Sequence, residues 1–325
     1  MTITIIGGGS LSHVCAGFLG AQEGVEVRIL TRRPQLWQKE IVVTDPDGKI
    51  FRAPLSVVSD CPEDVVTNSD IVLFCLPGYA IEEELRHIKP FIGEAIVGSV
   101  VCNTGFFFMA HEILGTEAQL FGFQRVPFIA RLTEYGRSAN LLGYKSSLSM
   151  VVENVDDAEA FRQTMENLLH TPTKLLGSFY DVSLSNSNPI LHTGRLYTMF
   201  HDWDGTPFDH NILFYKEWTD EASQKIIDMD AELQQLLTTL PVTPCAIPTL
   251  LDYYESHDAA SLTRKLQSIP AFENILSPMK EVAGGWVPDY ESRYFREDFA
   301  YGLKWIAEKM EGGVCWEVWK WGEGE

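Results

Sequence analysis

The sequence predicts an α/β domain built on a mostly parallel sheet, followed by an all-α domain. In the first half, strand-length runs such as Ile71-Val72-Leu73-Phe74 are continuously apolar rather than alternating, the pattern of strands buried on both faces. Helix-length segments separate these runs, as parallel pairing requires. Beyond about residue 180 the pattern turns to helical periodicity almost throughout, as in 221–240 and 296–310. The predicted domains are therefore residues 1–180 and 181–325.

The elements follow in order. A β-branched run at 1–6 ends in Gly7-Gly8-Gly9, residues 11–22 suit a helix, and 25–30 forms a second strand. This is a β-α-β unit of about 30 residues, the usual size. Residues 41–55 read as a β-excursion around the turn Asp45-Pro46-Asp47-Gly48. A strand at 70–76 stops at Pro77-Gly78, a helix covers 81–88, and a further buried strand covers 95–102. A strand at 147–153 and a helix at 157–169 complete the first domain.

The turn Gly7-Gly8-Gly9-Ser10-Leu11-Ser12 matches G-x-G-x-x-G/A at its first two glycines, with the small Ser12 at the third position. Gly7 permits the tight turn, Gly9 permits close approach of a pyrophosphate, and the helix opening at Ser10 and Leu11 offers free N–H groups. A glycine cluster alone is a weak signal; here it follows a strand and opens a helix, which is the context a Rossmann domain requires. The tip of the second strand usually separates NAD from NADP, and here it reads Thr31-Arg32-Arg33 with no acid. Thr31 can hydrogen-bond a ribose and either arginine can grip a 2′-phosphate, so NADP is expected, with NAD as the alternative. Leu76 and Pro77 after the fourth strand, and Asn103 after the next, lie where such sheets border their ligand. A plain strand-ending turn explains those three equally well.

Composition narrows the class. The 325 residues are 45% hydrophobic and 22% charged, a globular profile. A net charge of -20 argues against counterion-releasing contact with nucleic acid and against adsorption to an anionic membrane. Cysteines 15, 61, 75, 102, 245 and 315 are scattered without a CxxC pair, and no apolar run reaches a membrane span. These features predict a cytoplasmic protein. His201 and His210, with Asp202 and Asp204 between them, match no zinc or calcium spacing, so no metal is expected.

Two polar segments stand out in the helical half. In Asn186-Ser187-Asn188-Pro189-Ile190-Leu191-His192, Asn188 and His192 are one helical turn apart, and a histidine there can act as an acid or base. Taken alone, a single histidine is more often a satisfied core residue. In Ser292-Arg293-Tyr294-Phe295-Arg296-Glu297-Asp298, Arg293 suits bidentate recognition of a carboxylate and Asp298 can orient an imidazole. An exposed charge run at a helix start accounts for the same residues without chemistry.

Together these segments resemble the opine dehydrogenases, as do Gln124-Arg125-Val126-Pro127-Phe128-Ile129-Ala130-Arg131 and Leu142-Gly143-Tyr144-Lys145. The resemblance implies a Rossmann domain followed by a helical domain of the 6-phosphogluconate dehydrogenase C-terminal type. It also implies His192 as proton donor and acceptor, Asp298 as its partner, Arg293 as carboxylate anchor and Asn188 beside the substrate or nicotinamide. The reaction implied is condensation of an amino acid with a 2-oxo acid and reduction of the imine by NAD(P)H. Its partners are then small molecules, with a homodimer left open. A reductase of the ketopantoate or 2-hydroxyacid type is the alternative enzyme, but such enzymes rely on a lysine and 181–200 contains none. A non-catalytic NADP-binding sensor is the alternative of another class.

Overall fold

The computed structural model describes residues 1–324, which divide into two compact units, Met1–Ser183 and Leu184 onward. In the first unit β1 (Thr2–Ile6) leads through the glycine turn into α1 (Ser10–Gly20) and β2 (Glu26–Leu30). The hairpin β3 (Glu40–Thr44) and β4 (Ile50–Ser59) follows, and Asp45 Oδ1 shapes its turn by accepting from the N–H groups of Asp47 and Lys49. Then come α2 (Pro62–Val66), β5 (Ile71–Phe74), α3 (Ile81–Ile88), β6 (Ile96–Ser99) and α4 (Phe106–Leu114). The unit continues with β7 (Leu120–Phe123), β8 (Phe128–Glu134), β9 (Ser138–Tyr144) and β10 (Leu148–Glu153), and ends with α5 (Ala158–Leu169), β11 (Thr173–Leu175) and α6 (Phe179–Ser183).

Eleven strands form one sheet in the order β11-β10-β7-β6-β5-β1-β2-β4-β3-β9-β8. The run β7-β6-β5-β1-β2-β4 is parallel throughout, while β10 on β7 and the β3–β4 and β8–β9 hairpins are antiparallel. β1 lies mid-sheet, with Ile3 beside Val27 of β2 and Ile71 of β5. Its residues from Ile3 to Ile6 are all buried, the continuous apolar pattern expected of a two-faced strand. Phe18 of α1 is fully buried with its ring 4.9 Å from those of Phe51 and Phe128, tying the helix to both hairpins.

Four strands of this sheet lie outside those read from the sequence: β7 in the sheet interior, β11 at one edge, and β8 and β9 at the other. Burial alternates in β8 and β9, because the strands at that end of the sheet present one face to solvent. Continuous apolar runs mark only the interior strands.

The second unit begins with α7 (Asn188–Phe200), continues with α8 (Asp220–Leu237), α9 (Leu250–Tyr253) and α10 (Ala259–Ser268), and adds a small hairpin of β12 (Met279–Val282) and β13 (Gly285–Pro288). A π-helix, Tyr294–Leu303, runs into α11 (Lys304–Ala307), and α12 (Val314–Gly322) follows. The unit is thus helical apart from that hairpin. Thr219 caps α8 by accepting from the Ala222 N–H, and Asp258 forms a reciprocal capping box with Ser261 at α10. α7 packs on α8 and on the π-helix, which positions the polar groups of all three. Among the described residues no helix is long and apolar enough to cross a membrane.

Candidate active site

The first unit contains a cavity of about 380 Å³ at the carboxyl ends of β1, β2, β4 and β5. Gly7, Gly9, Thr31, Arg32, Arg33, Leu76 and Pro77 all line it. Gly7 has φ +129, and a Cβ there would lie 2.8 Å from the Cys75 carbonyl oxygen, so the turn itself demands glycine. At Gly8 a Cβ would sit 2.6 Å from the Tyr135 hydroxyl. At Gly9 it would meet nothing within 4 Å. The chain's own packing therefore gives no reason for glycine at position 9, whereas a ligand laid against that backbone does.

Gly9 also precedes α1 without a side-chain cap, and the first turn of that helix carries no acid. The N–H groups opening an eleven-residue helix are thus left to an anion, as a pyrophosphate requires. The cradle fits a nicotinamide dinucleotide. Ser10, Leu11 and Asn103 do not line the cavity. Ser10 opens α1 with its hydroxyl accepting from the Leu132 N–H at 3.0 Å, Leu11 packs against the core beside it, and Asn103 joins β6 to α4 at φ +44.

Asp60 and Tyr135 line the cavity without a mark of ligand binding in the local sequence pattern, as do Ala80, Glu83, Glu84 and His87 at α3. Asp60 follows β4, which pairs in parallel with β2, and so reaches the ribose end of the cavity from a neighbouring strand. Tyr135 arrives from the turn between β8 and β9, with its hydroxyl 3.4 Å from Thr31 Oγ1 and its ring 4.7 Å below the Arg33 guanidinium. Partial burial opposes ionisation of Tyr135, but its hydrogen bond to Thr31, the nearby Trp37 and the charge of Arg33 outweigh it and hold the phenol below its ordinary range. The available signal was Tyr135-Gly136 between two alternating runs, a hairpin mark.

In the second unit, α7 begins at Asn188 with Pro189 in its first turn, where a missing N–H costs nothing. Asn188 is exposed there, one helical turn before His192. The π-helix carries Asp298, and the two side chains meet: His192 Nδ1 lies 2.8 Å from Asp298 Oδ2, each side chain only 12% exposed. A carboxylate accepts, so the proton belongs on Nδ1. His192 Nε2 lies 2.9 Å from the hydroxyl of Tyr215, a residue that no local sequence pattern marks. Burial, with the charges of Tyr294, Tyr254 and Asp298, drives the Tyr215 phenol well above its usual range, so the hydroxyl stays protonated and donates to Nε2. Its ring is stacked between Phe272 and Trp218, at 4.2 and 5.7 Å, which fixes the direction of the hydroxyl. The rings of Phe214 and Tyr294 complete an apolar wall around the imidazole.

Arg293 precedes the π-helix with its side chain 74% exposed, and its Nε donates to the buried Glu297 at 3.3 Å. The structure therefore pairs Arg293 with Glu297, and Asp298 with His192. His201, Asp202 and His210 form no shared centre: His201 contacts Asp202 at 3.0 Å and His210 contacts Glu217 at 3.0 Å. What the second unit can do chemically is accept or deliver one proton at a histidine whose tautomer is set from both sides.

Comparison with known proteins places both units. Residues 175–310 match the alpha-helical domain of the NAD/NADP octopine/nopaline dehydrogenases, and residues 3–104 match the ketopantoate reductase PanE/ApbA family. The opine dehydrogenase of Haliotis discus hannai is 26% identical over 341 residues, covering 93% of this chain and 83% of that protein. A solved octopine dehydrogenase holding NADH and L-arginine matches with a TM-score of 0.85 at 23% identity, over 100% of this chain and 89% of the other. Yersinopine dehydrogenase bound to NADP+ matches with a TM-score of 0.66 at 10% identity, over 100% and 98% of the two chains. The chain is related to the opine and octopine dehydrogenases along nearly its whole length and shares their fold.

Proposed function

We propose that this chain, with its helical domain of the octopine/nopaline dehydrogenase type, is an NAD(P)H-dependent opine dehydrogenase. It joins the amino group of an amino acid to the carbonyl carbon of a 2-oxo acid, releasing water. A hydride and a proton then add across the C=N bond to give a secondary amine. The observation that carries this reading is His192, tied at Nδ1 to Asp298 and at Nε2 to Tyr215 within a helical domain of that type.

The residues divide the work. The glycine turn, the start of α1 and the tip of β2 would hold a nicotinamide dinucleotide, which supplies the hydride when bound. His192 carries the proton that the new amine needs, and Asp298 stabilises the imidazolium before that proton leaves. Nε2, which accepts from the Tyr215 hydroxyl when no substrate is bound, is the ring atom that exchanges the proton with the substrate nitrogen. Arg293, mostly in solvent, receives a substrate carboxylate, and Asn188 offers its amide one turn before His192. The aromatic wall lowers the local dielectric around His192 and strengthens its contact with Asp298.

For the cofactor, Arg32 and Arg33 at the cavity and the absence of an acid at the β2 tip favour NADPH. Asp60 at the same end favours NADH instead, since an acid there can accept from ribose hydroxyls. A cytoplasmic location fits the six free cysteines, of which Cys15, Cys102 and Cys315 are buried. Steady-state oxidation of NADPH with pyruvate alone, an amino acid mixture alone, and both together tests the reaction. Opine synthesis requires both, whereas a ketopantoate-type reductase, suggested by the match over residues 3–104, turns over with a 2-oxo acid alone.

A further inference from the structure

The ribose end of the cavity is finished by residues far along the chain from the β-α-β unit that makes the rest of it. Tyr135 sits in the β8–β9 turn, yet its hydroxyl reaches Thr31 Oγ1 at 3.4 Å and its ring carries the Arg33 guanidinium at 4.7 Å. A Cβ at Gly8 would lie 2.6 Å from that hydroxyl, so the phenol is packed against the glycine turn itself.

The turn is held there by a buried histidine. The Gly136 N–H donates to His13 Nε2 at 2.7 Å, which leaves the proton on Nδ1, where it is donated to the Gly9 carbonyl at 2.8 Å. One neutral imidazole thus links the hairpin to the last residue of the glycine turn. Trp37 stacks on the same imidazole at 4.2 Å and meets Tyr135 edge-on at 6.0 Å. Gly136 has φ +73, and a Cβ there would lie 2.1 Å from the Leu36 carbonyl oxygen, so the hairpin presses on the loop after β2 as well.

We propose that Tyr135 is a specificity-determining residue for the 2′-phosphate of the dinucleotide, acting with Arg33, and that His13 is the positioning residue that holds it there. The proposal rests on the NADPH reading above. Of the two arginines at the β2 tip, it selects Arg33. A guanidinium lying on an aromatic ring keeps its N–H edge available to an anion, and its side chain is ordered in advance. Thr31 and Tyr135 add two hydroxyl groups within reach of each other at the same point. Arg33 alone on a solvated turn would spend rotamer entropy to reach a phosphate, which the platform reduces.

The test is binding rather than turnover, with the full chain titrated with NADPH and with NADH by nucleotide fluorescence. Wild type binds NADPH more tightly. Tyr135→Ala weakens NADPH on the order of tenfold and leaves NADH within about twofold, so the preference collapses. Arg33→Ala does the same, and the double variant is no worse than either single, because the two act as one unit. Tyr135→Phe, which keeps the ring platform, retains most of the preference and guards against misfolding of the hairpin in the Ala variant. Equal weakening of both nucleotides by Tyr135→Ala in a folded protein overturns the proposal, as does a preference that falls with Arg32→Ala and not with Arg33→Ala. Failure of wild type to bind either nucleotide, or tighter binding of NADH, overturns instead the cofactor reading on which it stands.

Discussion

Replacing Asp298 by Asn removes one charge from the His192 set and keeps its shape. In the native site the carboxylate accepts from Nδ1 at 2.8 Å with both side chains 12% exposed. A hydrogen bond to a charged group in such surroundings contributes about 1.5–3 kcal/mol. Its loss bears on the step in which His192 is cationic, since Asp298 balances that charge. The expected fall in kcat is therefore roughly 10- to 150-fold at about 1.4 kcal/mol per factor of ten. The amide can also turn its NH2 toward Nδ1, which forces the other tautomer and obliges the Tyr215 hydroxyl to accept rather than donate. The assay is initial-rate NADPH oxidation with saturating 2-oxo acid and amino acid, beside NADPH affinity and thermal unfolding of the same variant. NADPH affinity stays near wild type, because the cradle belongs wholly to the first unit. A folded Asp298→Asn protein with kcat within about threefold of wild type refutes a charge-balancing role for this residue.

Three further outcomes follow from other parts of the chain. Gly8→Ala places a methyl 2.6 Å from the Tyr135 hydroxyl and 3.0 Å from Thr31 Oγ1, and is expected to weaken dinucleotide binding while the helical unit keeps its thermal transition. Phe18→Ala opens the core where α1 meets both hairpins and should cost about 3–5 kcal/mol in urea unfolding. Burial lowers the pKa of His13 from 6.5, opposed in part by its hydrogen bond to Gly9, and its Nε2 is engaged by the Gly136 N–H. The unfolded chain then binds a proton that the folded chain refuses. Stability from this group is complete above pH 6.5 and declines as pH falls toward the lowered native value, by at most about 1.4 kcal/mol per pH unit. Urea unfolding at a series of pH values, compared with His13→Gln, should show a shallower acid slope in the variant.

Much of this was legible from local pattern. The glycine turn, the buried strands and the β3–β4 hairpin each carry their cause in adjacent residues: a backbone that requires Gly7, continuous apolar runs, and an Asp45 that builds its own turn. The pairing of His192 with Asp298 was legible only through family resemblance, since the residues lie 106 apart. Its geometry has a physical basis that no helix template supplies. Asp298 is carried by a π-helix, whose bonds run i to i+5, as the Lys304 N–H to Phe299 carbonyl contact illustrates. Tyr215, Asp60 and Tyr135 were not legible. Each reaches its site through tertiary register: β4 against β2 for Asp60, the β8–β9 turn against α1 for Tyr135, and the stack of Phe272 and Trp218 for Tyr215. Arg293 was assigned to a carboxylate ligand, and the structure shows that the buried Glu297 already holds one edge of it.

In the proposed reaction the amino nitrogen of one substrate ends bonded to the carbon of another. Mass spectrometry of the product formed from NADPH, pyruvate and a nitrogen-labelled amino acid tests this most directly. The expected product is one secondary amine that retains the label, has the mass of both substrates less one water plus two hydrogens, and is lost with His192→Asn. Formation of an unlabelled 2-hydroxy acid at an unchanged rate, with or without the amino acid, would contradict the proposed reaction.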